Sequence, residues 1–134
     1  MYAFEFHSAG SVAEVVSALK ADEEAKPLAG GMTLLPTMKL RLANPTQLVS
    51  LDGVGEMHGI TRDGDAIVVG AMTRHAEVAR DAQVNSAIPA LAHLASHIGD
   101  PQVRNRGTIG GSIANNDPAA DYPAGLVGLG ATVH

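Results

Sequence analysis

The chain has 134 residues, about one domain with room for a buried core, and 46% of them are apolar, which excludes a disordered chain. It has no cysteine, so disulfides, thiolate metal sites, iron–sulfur ligation and cysteine nucleophiles are excluded within it. The net charge of −5 comes from scattered acids and bases, with no basic face of the kind that binds nucleic acid. Met1 to Gly10 has no basic region leading into an apolar stretch, and the longest apolar runs fall far short of a membrane span. A cytoplasmic protein with no signal peptide and no membrane span is expected. Aromatics are only 3%, so the core must be aliphatic.

Tyr2 to His7 alternates enough for a short strand. Ser11 reads as a helix N-cap, with Val12, Val15, Val16 and Leu19 on one face and Glu14 in the first turn, and the helix is expected to end near Asp22. Lys26 to Ala29 is a short strand running into Gly30-Gly31. A second helix begins near Met32 or Thr33, with Pro36 in its first turn and Leu34, Leu35, Met38 and Leu42 inward, and Asn44-Pro45 stops it. Gln47 to Leu51 is a strand and Asp52-Gly53 a turn. Gly59 to Arg62 and Ala66 to Val69 are strands joined at Asp63-Gly64 as a hairpin. Thr73 is expected to cap a short helix through Arg80. Pro89 opens a longer helix that turns Leu91, Leu94, Ala95 and Ile98 to the core. Gly99 to Gly111 is polar and turn-rich, and Asp117-Pro118 is a turn. Asp121 then reads as an N-cap, with Leu126 and Leu129 inward, and Ala131 to Val133 begins a strand at which the sequence stops. That stop suggests an N-terminal piece of a longer protein, and the change of pattern near Asn44 to Val54 suggests a subdomain boundary.

Fifteen glycines are more than an average domain carries, and they pair at Gly30-Gly31 and Gly110-Gly111 beside small polar residues. In Leu28-Ala29-Gly30-Gly31-Met32-Thr33-Leu34-Leu35 a strand leads in and a helix leads out. Glycine lets a ligand approach the backbone, and N–H groups at a helix start favour an anion, so the segment has the design of a phosphate cradle. On its own, a Gly-Gly pair favours a tight turn with nothing bound, and neither the three-glycine dinucleotide fingerprint nor a Gly-Lys-Ser/Thr loop is present. The second loop, Gly107-Thr108-Ile109-Gly110-Gly111-Ser112, offers backbone donors and short hydroxyls without a strong base or a nucleophile pair. That suits holding a diphosphate or a flavin; an ordinary turn cluster is the alternative.

Asp117 and Asp121 lie four apart, but turn and cap roles explain both better than a metal does. His93 and His97 share a helical face without the glutamate of a zinc-hydrolase pattern. Arg104 and Arg106 flank the second loop, where they would pair with phosphate or sit on a solvated edge. No catalytic residue and no metal ligand is assigned.

The motifs taken together resemble a known family. Pro27-Leu28-Ala29-Gly30-Gly31-Met32-Thr33-Leu34-Leu35-Pro36, then Gly99-Asp100-Pro101-Gln102-Val103-Arg104, then Arg106-Gly107-Thr108-Ile109-Gly110-Gly111-Ser112, then Asp117-Pro118-Ala119-Ala120-Asp121, in this order, look like the FAD-binding medium subunit of molybdenum hydroxylases of the carbon monoxide dehydrogenase and xanthine dehydrogenase type. The resemblance covers nearly the whole chain. It implies an α+β FAD-binding fold of the vanillyl-alcohol oxidase type in two small subdomains, about 1–54 and 55–134, the second incomplete and the family's C-terminal domain absent. It implies FAD contacts at Leu28, Ala29, Gly30, Gly31, Met32, Thr33, Leu34 and Leu35, at Thr108, Ile109, Gly110, Gly111 and Ser112, at Asp121, and by backbone at Ile98. It implies two partners, a large subunit with the molybdenum cofactor and a small subunit with two [2Fe–2S] clusters, which send electrons through FAD to an external acceptor. Met32 departs from the pattern, since many members have histidine there.

Two other readings compete. One is a truncated fragment that folds or assembles without retaining FAD. The other is a phosphate- or nucleotide-binding module that needs only the first loop.

Overall fold

The computed structural model describes residues 1–134 and is α+β. Its N-terminal part runs strand, helix, strand, helix, strand: β1 (Glu5–Ser8), α1 (Val12–Ala21), β2 (Lys26–Leu28), α2 (Leu34–Lys39) and β3 (Gln47–Ser50). β3 lies in the middle of a three-stranded parallel sheet of order β1-β3-β2, with His7 and Pro27 both paired to Val49. The central strand carries the buried run Leu48, Val49 and Ser50, as a strand covered on both faces must.

α1 starts where its cap chemistry dictates. Ser11 Oγ accepts the Glu14 N–H at 3.2 Å, and the Glu14 carboxylate accepts the Gly10 N–H at 2.8 Å, a reciprocal cap that satisfies donors at the helix start. Glu14 also meets His7 Nε2 at 2.9 Å, which ties helix to strand. The bond from Gly10, then that from His7, hold the exposed Glu14 carboxyl below its ordinary pKa. Of the expected apolar face, Val15 is buried, while Val12 and Val16 are about two-fifths exposed, at 40% and 42%.

α2 is shorter than expected. It ends at Lys39, ahead of Asn44-Pro45, because Arg41 takes a left-handed conformation (φ 61°) and the Leu42 N–H turns back to the Thr37 carbonyl. That reversal swings Leu42, expected inward, out to 76% exposure. Pro36 sits in the first turn and Met38 is buried, as the pattern predicts.

A 3-10 turn at Gly55–Met57 leads to the hairpin of β4 (Ile60–Asp63) and β5 (Ala66–Val69). Asp63 pairs with Ala66 across the two-residue loop Gly64-Asp65, and Gly64 has φ 57°. The remaining elements are helices: α3 (His75–Arg80), α4 (Ala82–Ala87), α5 (Pro89–His97), α6 (Pro101–Arg104), α7 (Ile109–Asn115) and α8 (Asp121–Gly128). α5 opens at Pro89 as expected and buries Leu91 and Ala95.

Four expectations are corrected here. Thr73 does not cap α3; it is buried and donates its hydroxyl to the Gly59 carbonyl at 2.9 Å, while the cap position falls to Arg74, whose N–H the Glu77 carboxylate accepts. Asp121 is not an N-cap: Ala120 holds that position, and Asp121 lies in the first turn of α8 with no capping bond. Ala131 to Val133 is no strand, and the Ala131 N–H returns to the Leu126 carbonyl to close α8. Leu129, expected inward, is 43% exposed.

Two apolar clusters hold the chain. One joins Ala9, Val15, Ala25, Val49, Leu51, Val54 and Met72. The other joins Val78, Val84, Leu91, Ala92, Ala95, Ile109 and Tyr122. Leu91→Ala is expected to destabilise the fold by about 2–4 kcal/mol through lost burial and a residual cavity. Leu42→Ala should stay within about 0.5 kcal/mol. Urea unfolding of both variants checks the pair, and an equal loss would contradict the outward turn at Arg41.

Candidate functional site

The two glycine loops, far apart in the chain, meet. A Cβ at Gly30 would collide with the Arg106 carbonyl oxygen and would lie 2.7 Å from the Gly107 Cα, so only glycine permits this approach. The reason for glycine at this position is therefore contact between the loops, not room for a ligand. Gly31 has φ 73° and turns the chain into α2.

The loops form walls of a cavity of about 630 Å³, closed on other sides by Leu51, Met57, Met72 and Ile98. Leu28, Ala29, Gly30, Gly31, Met32, Thr33 and Leu34 line it, as do Thr108, Gly110, Gly111 and Ser112. Three residues of the expected site do not. Leu35 packs beneath Gly31, Ile109 is buried in the second apolar cluster, and Asp121 is exposed outside the cavity. Asp117 and Ala120, of the same Asp-Pro-Ala-Ala-Asp segment, line it instead. A second, shallower cleft of about 520 Å³, lined by Glu5, His7, Asp22 and Thr46 among others, shares no residue with either loop.

Backbone hydrogen bonding separates the roles of the loops. The amides of Ala29, Gly30, Gly31, Met32, Thr33 and Leu34 donate to no protein acceptor, and bonding resumes at Leu35, whose N–H meets the Gly31 carbonyl. These amides are left to solvent or a ligand, and a run of them ahead of a helix suits an anion. In the second loop the amides are taken. Ile109 donates to Thr73, Gly110 to Ala71, Gly111 to the Thr108 hydroxyl and Ser112 to the Thr108 carbonyl. The backbone donors expected here are spent on binding the loop to the segment 71–73 and on starting α7. Thr108, whose amide has no protein acceptor, lines the cavity together with Gly110, Gly111 and Ser112.

Lys26 is the one lysine or arginine on the cavity wall, with Asp117 its one carboxylate, so amides are the main resource for holding negative charge there. Arg104 is not available to a ligand in the way expected: its guanidinium donates to the Ile98 and Gly99 carbonyls at 3.1 and 2.9 Å. This fixes Ile98, whose own N–H bonds to Ala95, so both its backbone groups have protein partners.

Sequence reasoning missed His75. It is buried behind the second loop, its N–H donates to the Gly107 carbonyl at 3.0 Å, and its Nδ1 lies 3.3 Å from the Tyr122 hydroxyl. A Cβ on Gly107 would lie 2.6 Å from its Nε2. Burial lowers the His75 pKa to about 4 and pushes that of Tyr122 well up, so both are neutral at pH 7. A lone histidine after Thr-Arg at a helix start carries no pattern that would mark it. His93 and His97 stack at 4.3 Å between ring centroids, and no cluster of three potential metal ligands exists. No helix is long and apolar enough to cross a membrane.

An α+β scaffold with an unpaired amide run facing a partly apolar cavity defines a module for a large anionic cofactor. The chain belongs to the family described as the FAD binding domain in molybdopterin dehydrogenase, which matches residues 2–134. It is 47% identical over 122 residues to the carbon monoxide dehydrogenase medium chain of Hydrogenophaga pseudoflava, covering 90% of this chain and 42% of that one. It is 45% identical over 130 residues to the medium chain of the same name from Afipia carboxidovorans, covering 96% and 45%. In three dimensions it matches carbon monoxide dehydrogenase from Hydrogenophaga pseudoflava lacking the Mo-pyranopterin moiety of its cofactor, with a TM-score of 0.90 over 92% of this chain and 43% of that one, at 47% identity. The chain thus spans less than half the length of these relatives.

Two predictions follow from the geometry. Gly30→Ala should cost more than about 2 kcal/mol, because backbone rather than a flexible side chain must give way, whereas an alanine at Gly55 meets nothing within 4 Å; thermal unfolding of the two variants tests this. His75 has a folded pKa of about 4, below the 6.5 of its ordinary value, so the unfolded chain binds the extra proton between those pH values. Stability is therefore full above pH 6.5 and falls as pH drops toward 4, by about 1.4 kcal/mol per unit at most. The lowered carboxyls Glu14 and Asp22 act below their ordinary values of 4.5 and 3.8, so the interval from 4.5 to 6.5 reports His75. Urea midpoints at pH 7 and pH 5 should differ in the native protein and much less in His75→Gln.

Proposed function

We propose that this chain is the front part of the FAD-carrying subunit of a molybdenum hydroxylase, an oxidoreductase component with no activity expected of it alone. The single observation that carries the reading is the unpartnered amide run from Ala29 to Leu34 on the cavity wall, which fits a diphosphate. Leu28 to Thr33 and Leu34 would hold the diphosphate region, with Thr108, Gly110, Gly111, Ser112 and Ile98 along the remaining wall. Leu35, Ile109 and Asp121 would support these positions from behind or beside the cavity. Bound FAD would supply the redox chemistry, taking electrons from the [2Fe–2S] clusters of a small subunit that a molybdenum-bearing large subunit reduces, and passing them to an external acceptor. The protein's own part is to bind, to orient and to limit solvent access.

The likeness to carbon monoxide dehydrogenase medium chains, a designation that implies other chains in the same complex, supports these partners. The absence of cysteine rules out iron–sulfur ligation within these 134 residues, which is compatible with clusters carried elsewhere in the complex. A division into subdomains at about residue 54 is also proposed, supported by the two apolar clusters, although Met72 crosses to the first of them. A second reading is favoured by length: since the chain spans under half of its relatives, a fragment that folds but does not retain FAD accounts for the same structure.

Flavin fluorescence titration with FAD and with riboflavin tests the assignment. If the amide run holds the diphosphate, riboflavin should bind about 100-fold more weakly, the worth of two charge-assisted hydrogen bonds. Equal affinity for the two would remove the cradle. FAD retained by the longer natural subunit but not by residues 1–134 would select the fragment reading for this chain.

A further inference from the structure

We propose that His75 is a cofactor-binding residue whose Nε2–H is aimed at the occupant of the cavity, and that Tyr122 is the positioning residue that sets this tautomer. The proposal rests on the FAD reading above and adds to it a contact from outside both glycine loops.

The argument is a count of protons. Tyr122 is fully buried, and the one hydrogen-bond partner of its hydroxyl is His75 Nδ1, at 3.3 Å. A phenol has one proton to donate, and a neutral imidazole has one N–H and one acceptor nitrogen. If Nδ1 carried the ring proton and donated it to the phenol oxygen, the hydroxyl proton would have no acceptor in an apolar cluster, an arrangement proteins avoid. If the hydroxyl donates to Nδ1, every group of the pair is satisfied and the ring proton sits on Nε2. Both groups stay neutral because both are buried.

Nε2 then has no acceptor in the protein. It makes no hydrogen bond, yet no fully buried side-chain nitrogen or oxygen in the chain lacks a partner, so Nε2 is reachable. His75 lines the same cavity as the free amides, and Gly107 is the residue whose missing Cβ leaves Nε2 uncovered, since a methyl there would stand 2.6 Å from it. His75 is held at its backbone and at its ring. Its backbone N–H bonds to Gly107, Arg74 pairs with Thr108 as an antiparallel bridge, and the Tyr122 ring lies 5.4 Å from it at 43°. A donor fixed in this way has lost its rotational freedom before any ligand arrives, which is what favours a specific acceptor atom over water. The chemical class it fits is a neutral or anionic acceptor, a ring nitrogen, carbonyl or phosphate oxygen, and not a cation.

Ring nitrogen NMR of the full-length protein, with His75→Gln to assign the signal, reads the tautomer directly. Before FAD is added, His75 should be neutral at pH 7 with its proton on Nε2; a proton on Nδ1 overturns the proposal. On adding FAD, the Nε2–H signal should shift strongly; if flavin fluorescence shows binding and that signal stays put, His75 is not a contact, though the FAD reading stands. Tyr122→Phe keeps the ring packing and removes only the hydroxyl. It should leave a mixture of tautomers and weaken FAD about tenfold, the effect of a lost hydrogen bond. A pure Nε2–H form and unchanged affinity in that variant would remove Tyr122 from the role. His75→Gln, which can still donate, should retain more FAD affinity than His75→Leu; equal losses count against donation. If the full-length protein binds no FAD at all, the FAD reading and this contact fall together.

Discussion

The contact of Gly30 with the backbone of Arg106 and Gly107 is the constraint on which the site depends. Two chain segments touch there with no side chain between them. That approach brings the strand-to-helix turn after β2 against the turn before α7 and sets the width of the cavity between them. Any side chain at Gly30 would push the loops apart, and the walls formed by Ala29 to Leu34 and by Thr108 to Ser112 would no longer face one space.

The loops look alike in composition and do different work. The first leaves its amides unpaired, because Gly31 at φ 73° turns the chain into α2 before intrahelical bonding can use them. The second uses its amides to bind segment 71–73 and to begin α7 at a Thr108 cap. One loop presents donors and the other braces it. Arg104 belongs to the brace, since its bonds to Ile98 and Gly99 lock the end of α5 to the start of α6. His75 and Tyr122 extend the brace inward, as a polar pair within an otherwise aliphatic cluster.

Family membership and the chemistry of the cavity wall are compatible with one another. The family is defined by FAD binding, and the cavity supplies amides rather than charged side chains to hold an anion. An acidic chain can host a diphosphate in this way because partial charges on fixed N–H groups need no counter-charge of their own.

Local chemistry was legible in the sequence wherever a few neighbouring residues settle the outcome. Ser11 and Glu14 cap α1, Pro89 opens α5, Asp63-Gly64 marks the hairpin, and Gly31 marks the strand-to-helix turn, all because the interactions involved span four residues or fewer. The order of the four motifs also identified the family and hence the cofactor. What the sequence could not determine depends on partners distant in the chain. Thr73 turns to Gly59 rather than to its own helix. The second loop's amides find acceptors at Ala71 and Thr73, and His75 becomes a wall of the site only when Tyr122 folds behind it. Spacing along the chain specifies which groups can bond locally, but whether a backbone donor or a buried imidazole is left free for a ligand is decided by which distant acceptor packing brings within 3 Å or so of it.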